Sequence, residues 1–434
     1  MRGLTRRLVA VAAVATSIVA VAPAAAQAHP SHRQSYLKVG YFEQWGIYAR
    51  NYQLSKVQNS GQAARLTHLN YAFGNVAADG TCVSADPWAD WQTSFSADLA
   101  VNGVADVAGQ PIAGNLHQLA ELKAKNPKLK VLISLGGWSG SAHFSDAALT
   151  AASRRKLVSS CLDLWIKGNL PELAPGVAAG IFDGVDLDWE WPGSDGNAGN
   201  TIRPEDKHNF TLLAAEFRSQ LDALGRHNRK HYDLSAFLPA APAKIDAGFE
   251  ASKIFKYLDF GTVQGYDYHG SWELTTNQQS SILVPKGAPP VPGGAADFSI
   301  NNAINKWMSS GAPRQQLVLG LPYYSQGWTG VTGGGDGRFQ PAAKPAKGVF
   351  ADGTEDYKTV KNLPGFKLYR DPIAGNSWLF DGTTFWTYDD PAQLLQKTFY
   401  IRAKGLGGAM MWSLDGDDAD ASLTKAISIG LRTR

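Results

Sequence analysis

Eight short apolar runs recur along the 434-residue chain, and this repeat limits the possible folds more than any other feature of the sequence. Helical patterns separate the runs, which lie at residues 37–42, 66–73, 131–135, 180–187, 234–238, 260–266, 317–321 and 408–412. Strands that alternate with helices predict a parallel sheet, and eight such units predict an α/β fold, the closed (β/α)8 TIM barrel. An open, doubly wound sheet is the alternative that the pattern leaves.

The clearest helix lies between the fourth and fifth runs. Pro204, Glu205 and Asp206 open it, and an apolar stripe follows at helical spacing, formed by Phe210, Leu213, Phe217, Leu221 and Leu224. Gly225 is a typical residue after the last turn, so we expect the helix to end there.

The interval between the seventh and eighth runs is about twice as long as one helix and two loops require. It contains strand-like segments at 366–369, 377–380 and 384–386. We interpret residues 329–385 as a small α+β insertion in the barrel, with a long surface loop as the alternative. No linker or low-complexity tract divides the remainder, so residues 29–434 are predicted to form one barrel domain.

Residues 1–28 have the pattern of a signal peptide. Arginines precede an apolar run at 8–21, and Ala26 and Ala28 have the spacing that signal peptidase needs. A secreted, extracellular protein is therefore expected, with a membrane anchor as the alternative. The Arg6-Arg7 pair leaves the export route open between the general and twin-arginine pathways.

Removal of that segment makes the chain neutral. It holds three arginines and no acid, so the 41 basic residues become 38 and equal the 38 acidic ones. A neutral chain gives no reason to expect a nucleic-acid or membrane partner, and it suits an uncharged substrate. We expect a monomer.

The two cysteines, Cys82 and Cys161, leave two interpretations open. Export permits a disulfide between them. Cys161 also falls on the apolar side of a helical pattern, where a buried thiol is an equal alternative.

Three acids alternate along the fourth run. Side chains of a strand point to opposite faces in turn, so Asp186, Asp188 and Glu190 share one face while Val185 and Leu187 take the other. Crowded carboxyl groups cannot all ionise, so at least one pKa rises. A carboxylic acid that keeps its proton at neutral pH is what glycosidic cleavage needs. A metal site or a structural cluster is the alternative, but no histidine lies beside the row.

The pattern Asp-x-x-Asp-x-Asp-x-Glu at 183–190 resembles the signature of glycoside hydrolase family 18, the chitinases. The resemblance covers about residues 36–430, and the segment 329–385 lies where bacterial members carry a chitinase insertion domain. Further segments that resemble the family's strand motifs are Gly40-Tyr41-Phe42, Ser134-Leu135-Gly136-Gly137, Gly265-Tyr266-Asp267 and Gly407-Gly408-Ala409-Met410-Met411-Trp412.

The resemblance implies a role for each acid. Glu190 would protonate the glycosidic oxygen and then deprotonate water. Asp188 would orient the 2-acetamido group of the substrate, which attacks the anomeric carbon in place of an enzyme nucleophile, and Asp186 would share a proton with Asp188. Tyr266 would hydrogen-bond the acetamido group and Asp267 would bind the sugar. The resemblance implies no cofactor and no metal.

Aromatic residues at the ends of the predicted strands are candidates for stacking on sugar rings. Those expected to bind chitin and chito-oligosaccharides are Tyr41, Trp45, Trp138, Trp191 and Trp412, the last as the floor under the distorted sugar. For Phe73 and Trp272, core packing and binding remain equal alternatives.

Two positions depart from the family pattern. Gln264 stands where methionine is usual, and Tyr323-Tyr324-Ser325-Gln326 replaces the usual Tyr-Gly-Arg, so a guanidinium contact to the sugar is missing. The resemblance, together with the export pattern of residues 1–28, implies a secreted, retaining chitinase. An endo-β-N-acetylglucosaminidase and a non-catalytic chitin-binding lectin are its rivals, although a lectin typically lacks the acid at Glu190.

Overall fold

Eight parallel strands form a barrel in the computed structural model, which describes residues 35–289 and 298–432. The predicted export segment, residues 1–28, lies outside the described residues. The barrel strands are β1 (Leu37–Glu43), β2 (His68–Val76), β3 (Lys130–Gly136), β4 (Gly184–Asp188), β5 (Asp233–Leu238), β6 (Phe260–Val263), β7 (Leu317–Pro322) and β8 (Gly408–Trp412).

The barrel is closed because β1 pairs in parallel with both β2 and β8. Each remaining strand pairs in parallel with its neighbour in the chain. The predicted (β/α)8 barrel is therefore confirmed, and the open, doubly wound sheet is wrong. A short strand, Cys82–Ser84, pairs in antiparallel fashion with the last residues of β2.

Helices cover the outside of the barrel. The α-helices are Leu54–Asn59, Gly114–Lys125, Phe144–Ala148, Ala151–Cys161, Asp206–Asn228, Pro242–Gly248, Ala251–Ile254, Ile300–Ser309, Tyr357–Val360, Pro391–Lys404 and Ser422–Gly430. Outward-facing strand residues such as Val185 and Leu187 are fully buried, so the main core lies between the barrel and its helices.

The helix after β4 does not end at Gly225, as the sequence predicts, but runs from Asp206 to Asn228. Arg229 ends it in the left-handed conformation. The chain then folds back, and a Cβ atom at position 225 would lie 2.3 Å from the carbonyl oxygen of Lys230. Glycine is therefore required there by the returning chain and not as the residue that ends the helix.

A second, antiparallel sheet lies between β7 and β8. Its strands are Tyr324–Thr329, Lys344–Pro345, Thr354–Asp356, Lys367–Asp371, Asn376–Phe380 and Thr384–Tyr388. The three segments predicted as strand-like are strands, and one helical turn, Tyr357–Val360, accompanies them. The sheet begins only two residues after Pro322, the last residue of β7, so the predicted range of 329–385 leaves out most of its first strand.

Arg50 joins this sheet to the barrel. Its guanidinium lies 2.8 Å from Asp356 of the sheet and 2.9 Å from Asp415, which follows β8. Glu43, the last residue of β1, lies 3.7 Å away. Three carboxyl groups from three elements therefore meet one cation.

Cys82 and Cys161 form a disulfide, with their Cα atoms 4.8 Å apart. The sequence left a disulfide and a buried free thiol as alternatives, and the structure contains the disulfide. It ties the short strand Cys82–Ser84 to the end of the helix Ala151–Cys161. Within residues 35–289 and 298–432, no helix has both the length and the apolar character needed to cross a membrane.

Candidate active site

Asp186, Asp188 and Glu190, which we call the acid row, lie at the carboxyl-terminal mouth of the barrel. Asp186 and Asp188 belong to β4, and Glu190 follows two residues after the last strand residue. Asp186 is fully buried and Asp188 nearly so, while Glu190 is only half-buried. The row thus rises from the barrel interior to the mouth, where active sites of such barrels lie.

Asp186 is held by three hydroxyl groups from three other strands. Tyr41 of β1 and Ser134 of β3 each donate to Oδ2 over 2.7 Å, and Ser235 of β5 donates to Oδ1 over 2.6 Å. Burial raises the pKa of Asp186, while these hydrogen bonds lower it by stabilising the anion. The serine of the Ser134-Leu135-Gly136-Gly137 motif therefore binds the acid row directly.

The glycines of the same motif allow close backbone contact with β4. The N–H of Gly137 donates to the carbonyl oxygen of Asp188 over 2.8 Å. Gly136 has a φ of +109°, and a Cβ atom there would lie 2.4 Å from that carbonyl oxygen. Ser141 extends the support, since its hydroxyl accepts a 2.8 Å hydrogen bond from the N–H of Glu190. The backbone that carries both acids is thus fixed by β3 and the loop after it.

Asp188 has an unusual environment for a buried carboxyl group. Its Oδ1 is buried and has no hydrogen-bond partner among the described residues. Burial raises the pKa of Asp188 well above its usual range, and the neighbouring Glu190 and Asp186 raise it further. Leaving a buried acceptor unpaired is costly, so Oδ1 is suited to a donor from a ligand.

Glu190 has a raised pKa and lies in the lining of a cleft. Burial, and next Asp267, raise the pKa of Glu190 to about 8, while the Lys244 cation opposes them. The side chain lines a cleft of about 540 Å³ at the barrel mouth. Glu190 therefore keeps its proton at neutral pH in contact with the space that a substrate would occupy.

Tyr266 and Asp267 line the same cleft, just after β6. Burial, and next the neighbouring carboxylates, raise the pKa of Tyr266 well above its usual range, so its phenol remains a donor. Gly320 of β7 leaves room for the ring, because a Cβ atom there would lie 3.0 Å from it.

Asp267 is fixed by the first strand of the second sheet. The hydroxyl of Tyr324 donates to its Oδ1 over 2.7 Å, and the Gln326 amide donates over 2.9 Å. Gln326 belongs to the segment that replaces the usual Tyr-Gly-Arg of the family. In this chain its side chain binds Asp267.

The cleft is mainly aromatic. Of the residues predicted to bind sugar, Tyr41, Trp138, Trp191, Asp267 and Trp412 line it, and so do Phe73, Trp272 and Gln264. Trp45 is not part of the lining, but its ring stacks on Phe73 at 5.8 Å. Phe73 in turn stacks on Trp412 at 5.9 Å. We call Trp45, Phe73 and Trp412 the aromatic ladder.

Sequence reasoning missed several residues of the cleft. Phe237, Lys244, Tyr268 and Phe298 also line it. Lys244 lies in the helix Pro242–Gly248 just after β5, and its place beyond a predicted strand end was the only signal for it. The ring of Trp191 packs on Phe237 at 5.4 Å and lies 6.0 Å from the Lys244 ammonium.

One group of described residues could offer three ligand atoms to a metal ion, and it lies away from this cleft. His231, Asp233 and Asp259 place these atoms within 4.8 Å of one another. Asp233 is the first residue of β5, at the opposite end of the barrel from the acid row, and Lys130 contacts it at 2.6 Å.

The fold and the site together define a (β/α)8 barrel protein with a row of carboxyl groups at its mouth. The sequence model described as "Glycosyl hydrolases family 18" matches residues 38–417. The chain therefore belongs to glycoside hydrolase family 18.

Curated relatives and solved structures agree with this membership. The chain is 37% identical over 391 residues to Chitinase C of Streptomyces lividans, covering 88% of this chain and 58% of the relative. It is 36% identical over 403 residues to Chitinase 63 of Streptomyces plicatus, covering 91% and 60%. The chain thus spans about three fifths of the length of these relatives.

The catalytic domain of the psychrophilic chitinase B from Arthrobacter TAD20 is similar in structure. Its TM-score is 0.88 at 46% sequence identity, and the match covers 93% of this chain and 96% of that chain.

Proposed function

We propose that this protein is a chitinase, which hydrolyses β-1,4 bonds between N-acetylglucosamine units with retention of configuration. One observation carries the proposal: an Asp188 oxygen that has no hydrogen-bond partner in the described part of the chain lies beside Glu190, an acid that keeps its proton at neutral pH. The acetamido N–H of N-acetylglucosamine is a donor of the kind that this oxygen lacks. The family of the chain and the names of its relatives support the same substrate class.

The first chemical step uses Glu190 as an acid. Its proton moves to the glycosidic oxygen, the bond between that oxygen and the anomeric carbon breaks, and the leaving sugar departs as an alcohol. The carbonyl oxygen of the substrate's own acetamido group forms a new bond to the anomeric carbon, which gives an oxazolinium ion. Asp188 passes its proton to Asp186, accepts a hydrogen bond from the acetamido N–H and, now an anion, offsets the positive charge of that ion.

The second step uses Glu190 as a base. Its carboxylate takes a proton from water, the water oxygen bonds to the anomeric carbon, and the oxazolinium ring opens. Two displacements leave the new reducing end in the β configuration. Asp186 is held as an acceptor by Tyr41, Ser134 and Ser235, which suits a group that shares a proton with Asp188 as charge develops.

The neighbouring residues suit the binding of an acetylated sugar. Tyr266 keeps its phenolic proton and donates to the acetamido oxygen in this proposal, while Asp267 binds the sugar before cleavage. Trp412 is the floor of the site. The other aromatic residues match the apolar faces of pyranose rings, so a linear chain of sugars fits the cleft.

We also propose that the protein is exported. The basic and apolar pattern of residues 1–28 supports this, and a disulfide is compatible with an oxidising compartment. Recovery of the protein from culture medium with its N-terminus at residue 29 tests the proposal, and retention of the intact N-terminus in the cells contradicts it.

The function is tested by incubating the protein with N-acetylglucosamine hexamer and, separately, with a glycoprotein that carries N-linked glycans. A chitinase releases short chito-oligosaccharides from the first and nothing from the second. Release of the glycan alone identifies an endo-β-N-acetylglucosaminidase. Binding of the hexamer without cleavage identifies a lectin.

A further inference from the structure

A buried carboxyl group outside the cleft is linked to the aromatic ladder. Asp90 lies in the helical turn Trp88–Gln92 and is fully buried. It accepts hydrogen bonds from the hydroxyls of Tyr71 and Ser84, and from Nε2 of Gln44 over 3.0 Å. These donors come from three other elements, so Asp90 joins the loops around the ends of β1 and β2.

Gln44 carries this link to the cleft. It follows the last residue of β1, and its amide is buried. While Nε2 donates to Asp90, Oε1 accepts a 2.6 Å hydrogen bond from the backbone N–H of Phe73. The side-chain amide of Asn115 also donates to the backbone carbonyl oxygen of Gln44 over 3.2 Å. Because the two ends of the amide have partners of opposite kind, Gln44 has one favourable orientation.

Phe73 is the middle ring of the aromatic ladder. It stacks on Trp45 at 5.8 Å and on Trp412 at 5.9 Å. The turn after β3 leaves no spare space behind it, since a Cβ atom on Gly137 would lie 2.7 Å from its ring. A shift of the Phe73 backbone would therefore change chiefly its stacking on Trp45, because Trp412 is also held by the ring of Tyr41 at 5.2 Å.

We propose that Asp90 and Gln44 are positioning residues, which hold Phe73 and thereby the aromatic ladder in register for a chain of sugars. They contact neither Glu190 nor Asp188, so they act on substrate binding and not on bond cleavage. The ladder leads from Trp412 in the cleft to the more exposed Trp45, so long oligomers depend on it more than short ones. The substrate named in this inference rests on the proposed function. The claim that Gln44 and Asp90 hold Phe73 in place does not.

The test is Gln44→Met, which keeps the approximate size of the side chain but removes both the donor to Asp90 and the acceptor for the Phe73 N–H. We expect KM for the N-acetylglucosamine hexamer to rise roughly three- to tenfold, which corresponds to the loss of the hydrogen bond that holds Phe73. We expect kcat and the KM for the trimer to stay within about twofold. The near-ultraviolet circular dichroism spectrum, which reports aromatic packing, should change without substrate.

A second variant identifies the contact itself. In the double variant Gln44→Glu with Asp90→Asn, the new amide nitrogen at position 90 can donate to the new carboxylate at position 44. The hexamer KM and the near-ultraviolet spectrum should therefore stay close to those of the unaltered protein. Gln220→Met is the matched control, because Gln220 also donates to a carboxylate, Glu216, but on a helix outside the cleft.

The inference is overturned if Gln44→Met leaves the near-ultraviolet spectrum and the hexamer KM unchanged. It is also overturned if kcat falls equally for trimer and hexamer, or if the double variant behaves like Gln44→Met. If the unaltered protein cleaves no oligomer, the proposed function fails, and the spectra with binding of the uncleaved hexamer then decide the inference alone.

Discussion

Tyr41 and Asp186, 145 positions apart in the sequence, are joined by a 2.7 Å hydrogen bond from the phenol to Oδ2. The ring of Tyr41 also packs against Trp412, with centroids 5.2 Å apart. One side chain of β1 thus contacts both the acid row and Trp412 of the cleft lining. Its hydroxyl is already engaged with the acid, so we assign Tyr41 to support of Asp186 as well as to the cleft wall.

Tyr41→Phe removes one of the three donors that hold Asp186 as an anion. Since this hydrogen bond lowers the pKa of Asp186, its loss raises that pKa, and the acid limb of the kcat/KM profile should move to higher pH. We expect kcat to fall by roughly tenfold. Tyr48→Phe is the control, because it deletes a 2.7 Å bond between phenol and carboxylate, to Asp86, on the surface. An unmoved acid limb would contradict the role of Tyr41.

Glu190→Gln keeps the shape of the side chain but removes the proton that the proposed reaction transfers. Turnover should fall by at least about 10²–10⁴, the usual contribution of a general acid, while oligomer binding persists. Steady-state hydrolysis and calorimetric titration with the hexamer measure the two effects. Glu205→Gln, the same change at an exposed position, should have no effect. A Glu190→Gln variant with a tenth of the original turnover would remove Glu190 from its role.

The pH profile should show the ionisation of Glu190. The acid is needed in its protonated form, and its pKa is raised to about 8, so kcat/KM should have a basic limb that falls above that pH. Lys244 lowers this pKa, so Lys244→Met should move the basic limb to higher pH. Lys256→Met, at an exposed position, should leave it in place. A basic limb that moves to lower pH in Lys244→Met is the opposite result and would refute the assignment.

Gly136→Ala tests the support of Asp188 by β3. Both Gly136 and Gly180 have positive φ, but a Cβ atom at 136 would meet the Asp188 carbonyl oxygen at 2.4 Å, whereas one at 180 meets nothing within 4 Å. Gly180→Ala should therefore cost only the backbone strain, about 1–2 kcal/mol of unfolding free energy. Gly136→Ala should cost about 1–3 kcal/mol more and reduce kcat about 100-fold, because it displaces an acid. Chemical denaturation and kinetics compare the two, and equal effects would show that β3 does not position Asp188.

The barrel and the acid row could be predicted from the sequence because each follows a short-range period. Apolar runs that alternate with helices identify the eight strands, and the two-residue period of a strand places Asp186, Asp188 and Glu190 on one side. The second sheet was also visible, in strand-like segments at 366–369, 377–380 and 384–386.

The contacts that complete the site could not be predicted, because they join residues far apart in the chain. Tyr324 and Gln326 bind Asp267 from the second sheet, and Lys244 acts on Glu190 from the helix after β5. The predicted end of the helix at Gly225 was wrong for a related reason. Glycine is needed there because the chain returns at Lys230, and no local pattern in the sequence indicates that contact.

The most direct test of the account is the anomeric form of the first product. Proton NMR during early hydrolysis of the N-acetylglucosamine hexamer should show the new reducing end as the β-anomer, followed by slow mutarotation, because two displacements occur at the anomeric carbon. The fully deacetylated glucosamine hexamer should not be cleaved under the same conditions, because it lacks the acetamido nucleophile. An initial α-anomer, or efficient cleavage of the deacetylated hexamer, would contradict catalysis by the substrate's own acetamido group.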